Sequence, residues 1–364
     1  MKNTFGNALG LTIFGESHGA AVGAVLDGLA AGLPVDEAYI AERMDRRRAR
    51  GDGLSTARTE PDVVEFLSGV VNGHTTGTPI TMIIRNTNTR SGDYAKTADL
   101  LRPGHADYTA YAKYEGWQDA RGGGHFSGRI TATSVAAGSI CEHILAQRGI
   151  KVYTHIARCA GVEDAPLSSS AGLIMAEPQP GHFALLDTEK EAPMQAAIRA
   201  AGAEGDSVGG ILETVITGVP AGIGEPFFDS VESEIAHLAF AIPAVKGIEF
   251  GAGFAFADLR GSQANDPFTM RDGKVVTATN KNGGINGGIA NGMPIVFRTA
   301  VKPTPSIYKE QDTVDYIAKA DAKLQIKGRH DPCIVPRAAV VQNTLAAFAV
   351  LDLLTVRYGT LGQK

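Results

Sequence analysis

Apolar positions recur at helical spacing along two stretches with little polar interruption. In Ile130 to Arg148, the residues Ala137, Ile140, Cys141, Ile144 and Leu145 fall on one face, and Gly149 suits the stop. Pro336 to Leu354 carries Ala339, Val340, Leu345, Phe348, Leu351 and Leu354, too apolar for a helix that faces solvent. Both are predicted to be core helices. A third helix, capped by Asp36 and running to about Arg50, has Arg46-Arg47-Arg48 in its last turn, where cations suit the negative end of the helix dipole. Short β-rich runs at Ala21 to Leu26, Val63 to Val71, Ile80 to Ile84, Ile211 to Thr217 and Pro294 to Thr299 are separated by turn signals such as Asn72-Gly73. They predict antiparallel strands. Long helices mixed with such strands indicate an α+β fold with helices packed on sheets.

The pattern also echoes itself. Gly28-Leu29-Ala30-Ala31-Gly32-Leu33 reappears as Gly218-Val219-Pro220-Ala221-Gly222-Ile223, and Pro79-Ile80-Thr81-Met82 as Pro294-Ile295-Val296-Phe297, in the same order. This hints at two fused copies of a strand, turn and helix unit. No Gly/Ser or Pro-rich run is long enough for a linker, so residues 1–364 are expected to form one integrated domain.

Composition narrows the class. Three cysteines, Cys141, Cys159 and Cys333, none in a C-x-x-C, make no disulfide framework and fit a reducing cytosol. The opening residues lack a signal-peptide core and no window approaches eighteen uninterrupted apolar residues, so secretion and membrane spanning are not expected. The net charge of −5 argues against a broad nucleic-acid surface but leaves room for a local basic pocket. Glycine, 44 of 364 residues, is well above its usual share of about 7%, which implies many tight turns or close backbone approaches.

Candidate chemistry clusters in a few turns. Gly15-Glu16-Ser17-His18-Gly19 matches the G-x-S-x-G of a hydrolase elbow, but it precedes a strand where an elbow needs a helix, so what survives is a Ser-His pair held in a turn. Arg121-Gly122-Gly123-Gly124-His125-Phe126-Ser127-Gly128-Arg129 is a glycine run feeding a helix, a candidate anion site of backbone N–H groups. It is neither a P-loop nor a dinucleotide fingerprint. Arg102-Pro103-Gly104-His105-Ala106-Asp107 and Lys327-Gly328-Arg329-His330-Asp331-Pro332-Cys333 each set a histidine and a carboxylate beside an arginine. A zinc reading of His330-x-x-Cys333 lacks a second ligand pair, and no metal is expected. Lys302-Pro303-Thr304-Pro305-Ser306 is a rigid turn bearing hydroxyls. Together these describe an enzyme that handles an anionic small molecule with histidine-based proton transfer, and they stop short of a reaction.

These same motifs identify the reaction by resemblance. Phe14 to Gly19, Asp45 to Arg48, Arg102 to Asp107, Arg121 to Gly124, Gly205-Asp206-Ser207, Gly218 to Gly222, Lys302 to Thr304 and Arg329 to Cys333 closely resemble the motifs of the chorismate synthase family, in order, from about Gly6 to Asp352. The resemblance implies a β-α-β sandwich with core helices between antiparallel sheets, a cytoplasmic homotetramer, and a lyase of the shikimate pathway to aromatic amino acids. Its reaction would be the 1,4-anti elimination of phosphate from 5-enolpyruvylshikimate 3-phosphate to give chorismate, needing reduced FMN without net redox change. Reduction of that FMN by NADPH on this chain and reduction by an external flavin reductase both remain open.

Carried over by position, His18 resembles the histidine that protonates the departing phosphate and His105 the one that protonates or stabilises reduced flavin. Asp331 resembles the carboxylate that assists removal of the C6 proton. Its anion is expected to be favoured by Arg329 and His330. Arg47, Ser127, Arg129 and Arg337 look like contacts for the substrate's anionic groups, for which arginine suits bidentate pairing. The FMN positions are His125, Phe126, Ser127, Pro243, Ala244, Gly287, Lys302, Pro303, Thr304, Pro305, Ser306 and Arg329. Two departures stand out. His125-Phe126 replaces the family's frequent Arg-Ser after the glycines, and Gly53 stands where a second basic-loop arginine is often found, with Arg50 the candidate substitute. Competing readings are a flavin-free phosphate-eliminating or isomerising enzyme, and an RNA or nucleotide scaffold on Arg46 to Arg50, for which stacking aromatics are sparse.

Overall fold

The computed structural model describes residues 2–56, 58–88, 99–166, 183–326 and 330–364. One antiparallel sheet holds β1 (Thr4–Phe5), β2 (Gly10–Gly15), β3 (Ala21–Asp27), β4 (Val64–Ser68) and β5 (Ile80–Arg85), in the order β1-β2-β3-β5-β4. A second holds β6 (Lys151–Cys159), β7 (Val162–Glu163), β8 (Gly210–Thr217), β9 (Val245–Phe250) and β10 (Ile295–Val301), in the order β7-β6-β8-β10-β9. The main helices are α1 (Glu37–Arg47), α2 (Asp107–Tyr114), α3 (Thr131–Gln147), α4 (Glu191–Ala203), α5 (Val231–Ala241) and α6 (Val335–Tyr358).

Helices α3 and α6 pack against each other between the sheets, α3 on β3 and β5 and α6 on β6 and β8. This is the expected sandwich. Ala132 to Ile140 of α3 and Ala338 to Thr355 of α6 are buried on every face, because each helix meets its partner on one side and a sheet on another. Helix α6 is long and apolar enough to cross a membrane, yet 94% of that window is buried inside the protein. The two helices approach closely at Gly138, where a Cβ would stand 2.5 Å from the Thr344 carbonyl oxygen. The strands alternate as a half-buried sheet requires, with Ile80, Met82 and Ile84 inward on β5 and Ile295, Phe297, Thr299 and Val301 inward on β10.

The sequence echo is a topological one. The series β2, β3, α1, β4, β5, α3 has its counterpart in β6, β8, α5, β9, β10, α6, with the same strand neighbours in each sheet. The echoed glycines keep their left-handed turns, with φ of 89° and 82° at Gly28 and Gly32 and 83° and 95° at Gly218 and Gly222. Two boundaries differ from expectation. Helix α1 starts as predicted, with Asp36 accepting from Tyr39 N at 3.0 Å. It stops at Arg47, because Arg48 is already extended and leads into a loop with left-handed Gly51 and Gly53. The run Val63 to Val71 breaks at Gly69 (φ 82°), where a Cβ would stand 2.6 Å from Ile80 Cα.

Candidate active site

A cleft of about 610 Å³ opens between the sandwich and the loops that follow β2, α1 and β10. It gathers residues distant in sequence: Arg47, Arg48 and Arg58, Arg102 and His105, the segment His125 to Arg129, Pro243 and Ala244, Lys302 with Thr304 to Ser306, and His330, Asp331 and Arg337. Most of the expected site is thereby brought to one cavity. His18 adjoins the cleft, its ring lying against Gly122, one of the lining residues. Pro303 and Gly287 do not line it; Gly287 sits at the tip of a small hairpin whose next residue packs on Ser230. Arg329 lies outside the described residues.

The two histidines are held differently. In the turn after β2, Ser17 N donates to the Gly124 carbonyl at 3.0 Å, and Gly19 N to that of Glu16 at 3.1 Å. Ser17 Oγ accepts from Arg58 Nη1 at 2.8 Å and is buried, so it serves as an arginine acceptor and the elbow reading finds no support in its surroundings. His105 Nδ1 is 2.8 Å from Asp107 Oδ1, and Asp107 also takes Arg102 N, Nε and Nη2 at 3.0, 2.8 and 2.6 Å. Although burial opposes its charge, these bonds from Arg102 and His105 hold the Asp107 carboxyl well below the usual range. An anion fixed there makes Nδ1 the protonated nitrogen of neutral His105 and leaves Nε2 as the other ring nitrogen for chemistry.

A buried arginine pair forms the wall. Arg47 and Arg129, 3% and 6% exposed, both bind Asp62, Arg47 Nη1 at 2.9 Å. Arg47 also donates to Thr131 Oγ1 at 3.0 Å and to the carbonyls of Gly128 and Arg129 at 2.9 and 3.3 Å. Arg129 reaches Asn86 Oδ1 at 2.9 Å and the Arg85 carbonyl at 3.2 Å. Burial, with Arg337 and Arg129 nearby, pushes the Arg47 guanidinium down to about 9, so it remains a cation at neutral pH. These two residues therefore organise the wall as well as charge it. Ser127 caps the short turn before α3, accepting from Arg129 N at 3.3 Å.

Asp331 accepts from Thr56 N at 2.9 Å and from Arg337 Nη1 at 2.8 Å, while Arg337 Nε holds the Arg47 carbonyl at 2.8 Å. The cation expected from His330 is absent. Burial, then Arg102, push His330 down to about 4, so at neutral pH its ring is uncharged and Arg337 supplies the charge beside Asp331. Arg50 is likewise not the substitute for Gly53: it points away to Asp45 Oδ2 at 2.7 Å and does not line the cleft. Arg58 does, gripping Ser17 and Glu60. Arg58 and Asp62 were missed by the sequence reading, while Arg48 and Asp107 were named only as members of their motifs. The signal available for Arg58 was its place between Thr56 and Glu60 just ahead of a strand.

Elsewhere in the lining, Lys302 Nζ donates to the Gly104 carbonyl at 2.6 Å, Lys302 N to that of Ala244 at 2.9 Å, and Ser207 Oγ to that of Thr304 at 2.7 Å. His125 Nδ1 lies 2.8 Å from the Gly15 carbonyl, which turns the imidazole toward β2, and Phe126 stands partly exposed beside Tyr114. Thr304 Oγ1 and His330 Nε2 are buried with no hydrogen-bond partner among the described residues. Buried polar atoms of this kind can take a hydrogen bond from or give one to a polar ligand.

With this geometry in view, the comparisons with known proteins point one way. The chorismate synthase family model matches residues 9–355. The chorismate synthase of Archaeoglobus fulgidus is 47% identical over 355 residues, 98% of either chain. That of Dehalococcoides mccartyi is 45% identical over 354 residues, 97% of this chain and 96% of the relative. A crystal structure of chorismate synthase superposes on 98% of this chain and 94% of its own, with a TM-score of 0.74 and 29% identity.

Proposed function

The chain belongs to the chorismate synthase family, a family of lyases, and from that premise we propose that it eliminates phosphate from 5-enolpyruvylshikimate 3-phosphate in 1,4-anti fashion to give chorismate, with reduced FMN present and no net redox change. This would be the last step of the shikimate pathway, carried out in the cytoplasm by a homotetramer. The observation that carries the reading is a cleft with six arginine side chains and a lysine in a chain of net charge −5, faced by His105 and Asp331 and adjoined by His18. Two carboxylates and a phosphate on the substrate account for that excess of cations.

The residues fit FMN. Lys302, the hydroxyls of Thr304 and Ser306, the backbone at Pro243 and Ala244, and the segment His125 to Ser127 would hold it, and Thr304 Oγ1 and His330 Nε2, buried and without a partner among the described residues, offer polar contacts. When bound, the reduced flavin supplies electron density beside the substrate as the C–O bond breaks. This chain's own groups do the rest. Arg337 and Arg48, partly exposed and lining the cleft, bind the anionic groups together with Arg58, while Arg47 and Arg129 fix the wall behind them. His18 gives a proton to the departing phosphate. Asp331, aimed by Thr56 N and Arg337 and stiffened by Pro332, assists removal of the C6 proton. His105, its Nδ1–H tautomer fixed by Asp107, presents unprotonated Nε2 as the nitrogen that takes up and returns a proton beside the cofactor.

Anaerobic turnover of 5-enolpyruvylshikimate 3-phosphate with reduced FMN, oxidised FMN and no flavin tests the proposal. Chorismate is expected only with reduced FMN. Equal turnover without flavin overturns it in favour of a flavin-free elimination.

A further inference from the structure

We propose that Gly122 and Gly123 are positioning residues, two consecutive left-handed peptides on which the rings of His18 and His105 are separately seated. The inference rests on the assignment of those histidines as the groups that carry protons.

A glycine run before a helix suggests a nest of N–H groups for an anion. The bonds here weaken that explanation, since Gly123 N donates to the Ala120 carbonyl at 3.3 Å and Ser127 N to that of Gly124 at 3.5 Å. Space is what the first two glycines provide. Gly122 has φ 61°, and a Cβ there would overlap His18 Cε1 and Nδ1 outright and stand 3.1 Å from Ser17 Oγ. Gly123 has φ 85°, and a Cβ there would stand 3.1 Å from His105 Cε1 and 3.3 Å from its Nε2. One ring therefore rests on each residue of a dipeptide, so the separation of the two groups is set by a single stretch of backbone. The third glycine serves the fold instead, since a Cβ on Gly124 would overlap the Asp119 carbonyl.

The two seats are unequal. A methyl at Gly122 forces the His18 ring to a new place, and a ring at the end of a side chain yields more cheaply than backbone. A methyl at Gly123 asks His105 to give by tenths of an ångström, and Asp107 at 2.8 Å keeps it from leaving. Displacing a reacting group by about 1 Å costs on the order of 10²-fold in rate.

The test compares Gly122→Ala and Gly123→Ala with Gly161→Ala. Gly161 has φ 83° with nothing within 4 Å of a Cβ, so it carries the left-handed strain without a neighbour. Gly122→Ala is expected to lower kcat by about 10²-fold and Gly123→Ala by about 10-fold, with substrate KM within a few-fold. Gly161→Ala is expected to keep kcat. Imidazole proton resonances, assigned through His18→Ala and His105→Ala, should show only His18 moved by Gly122→Ala and only His105 by Gly123→Ala. The decisive arm adds Gly122→Ala to His18→Ala, where the overlapping ring is gone and Ser17 Oγ, at 3.1 Å, remains beside the methyl. No further loss of kcat is expected there. A further loss equal to that of Gly122→Ala alone overturns the proposal, as does an unmoved His18 resonance. A moved His18 resonance with unchanged kcat overturns it through the proton-transfer assignment beneath it.

Discussion

Replacing Arg47 by methionine keeps much of its volume and removes the guanidinium that Asp62, Thr131 and two carbonyls share. Arg47 and Asp62 are 3% and 4% exposed, so water does not readily replace what is lost. Breaking a buried pair from one side costs about 3–5 kcal/mol, part of it softened here because Arg129 still holds Asp62. For a chain of 364 residues, that loss corresponds to a fall in melting temperature of roughly 4–7 °C, from the usual unfolding entropy per residue. Arg337→Met should behave otherwise, since Arg337 is partly exposed and, among the described residues, holds Asp331 and one carbonyl. It should weaken substrate binding with a smaller change in melting. Calorimetry and substrate titration on both variants separate the two roles, and adding Asp62→Asn to Arg47→Met should cost less than the sum of the single changes, with coupling of about 1–3 kcal/mol. An Arg47→Met protein that melts like wild type and differs only in substrate Kd would refute the reasoning.

Asp331→Asn keeps an oxygen for Thr56 N and Arg337 but loses the base, so turnover should fall by 10²-fold or about that while FMN and substrate Kd stay within a few-fold; a C6 deuterium isotope effect that does not grow counts against the assignment. Asp107→Asn should let neutral His105 exchange its Nδ1–H tautomer for the other, readable in imidazole nitrogen shifts, and an unchanged tautomer would show that Asp107 does not set it. His155 lies between Asp164 and Glu213, each at 2.9 Å, and those bonds raise its pKa against the opposing effect of burial. Its contribution to stability is therefore full below the unfolded value of about 6.5 and is lost as pH rises through the higher folded value. Denaturation of wild type and His155→Gln between mildly acid and alkaline pH should show a difference that shrinks with rising pH, and a constant difference would be contrary.

The sequence was most legible where the pattern is local. The all-round apolar character of α3 and α6 marked them as core, and the echo at Gly28 and Gly218 marked a repeated unit that is now visible as matching strand order. Strand ends were less legible, because the break at Gly69 depends on how closely Ile80 approaches from the neighbouring strand. Motif neighbours such as His105 and Asp107 stayed together in the fold. Charges whose state depends on tertiary partners did not read through. Nothing near Arg47 in sequence announces that Asp62 and Arg129 enclose it, or that Arg46, Arg48 and Arg50 turn to Glu42 and Asp45. His330 is uncharged because of burial and Arg102, and Arg58 reaches Ser17 only because the loop after α1 folds back.

The central claim is that the cleft uses a reduced flavin as a catalyst and returns it unchanged. Protein with a fixed, substoichiometric amount of photoreduced FMN, mixed anaerobically with excess 5-enolpyruvylshikimate 3-phosphate, allows phosphate release and flavin absorbance to be followed together. Many phosphates per flavin are expected, matched one for one by chorismate, with the flavin still reduced at the end. One phosphate per flavin oxidised, or release at the same rate with no flavin added, would contradict the account.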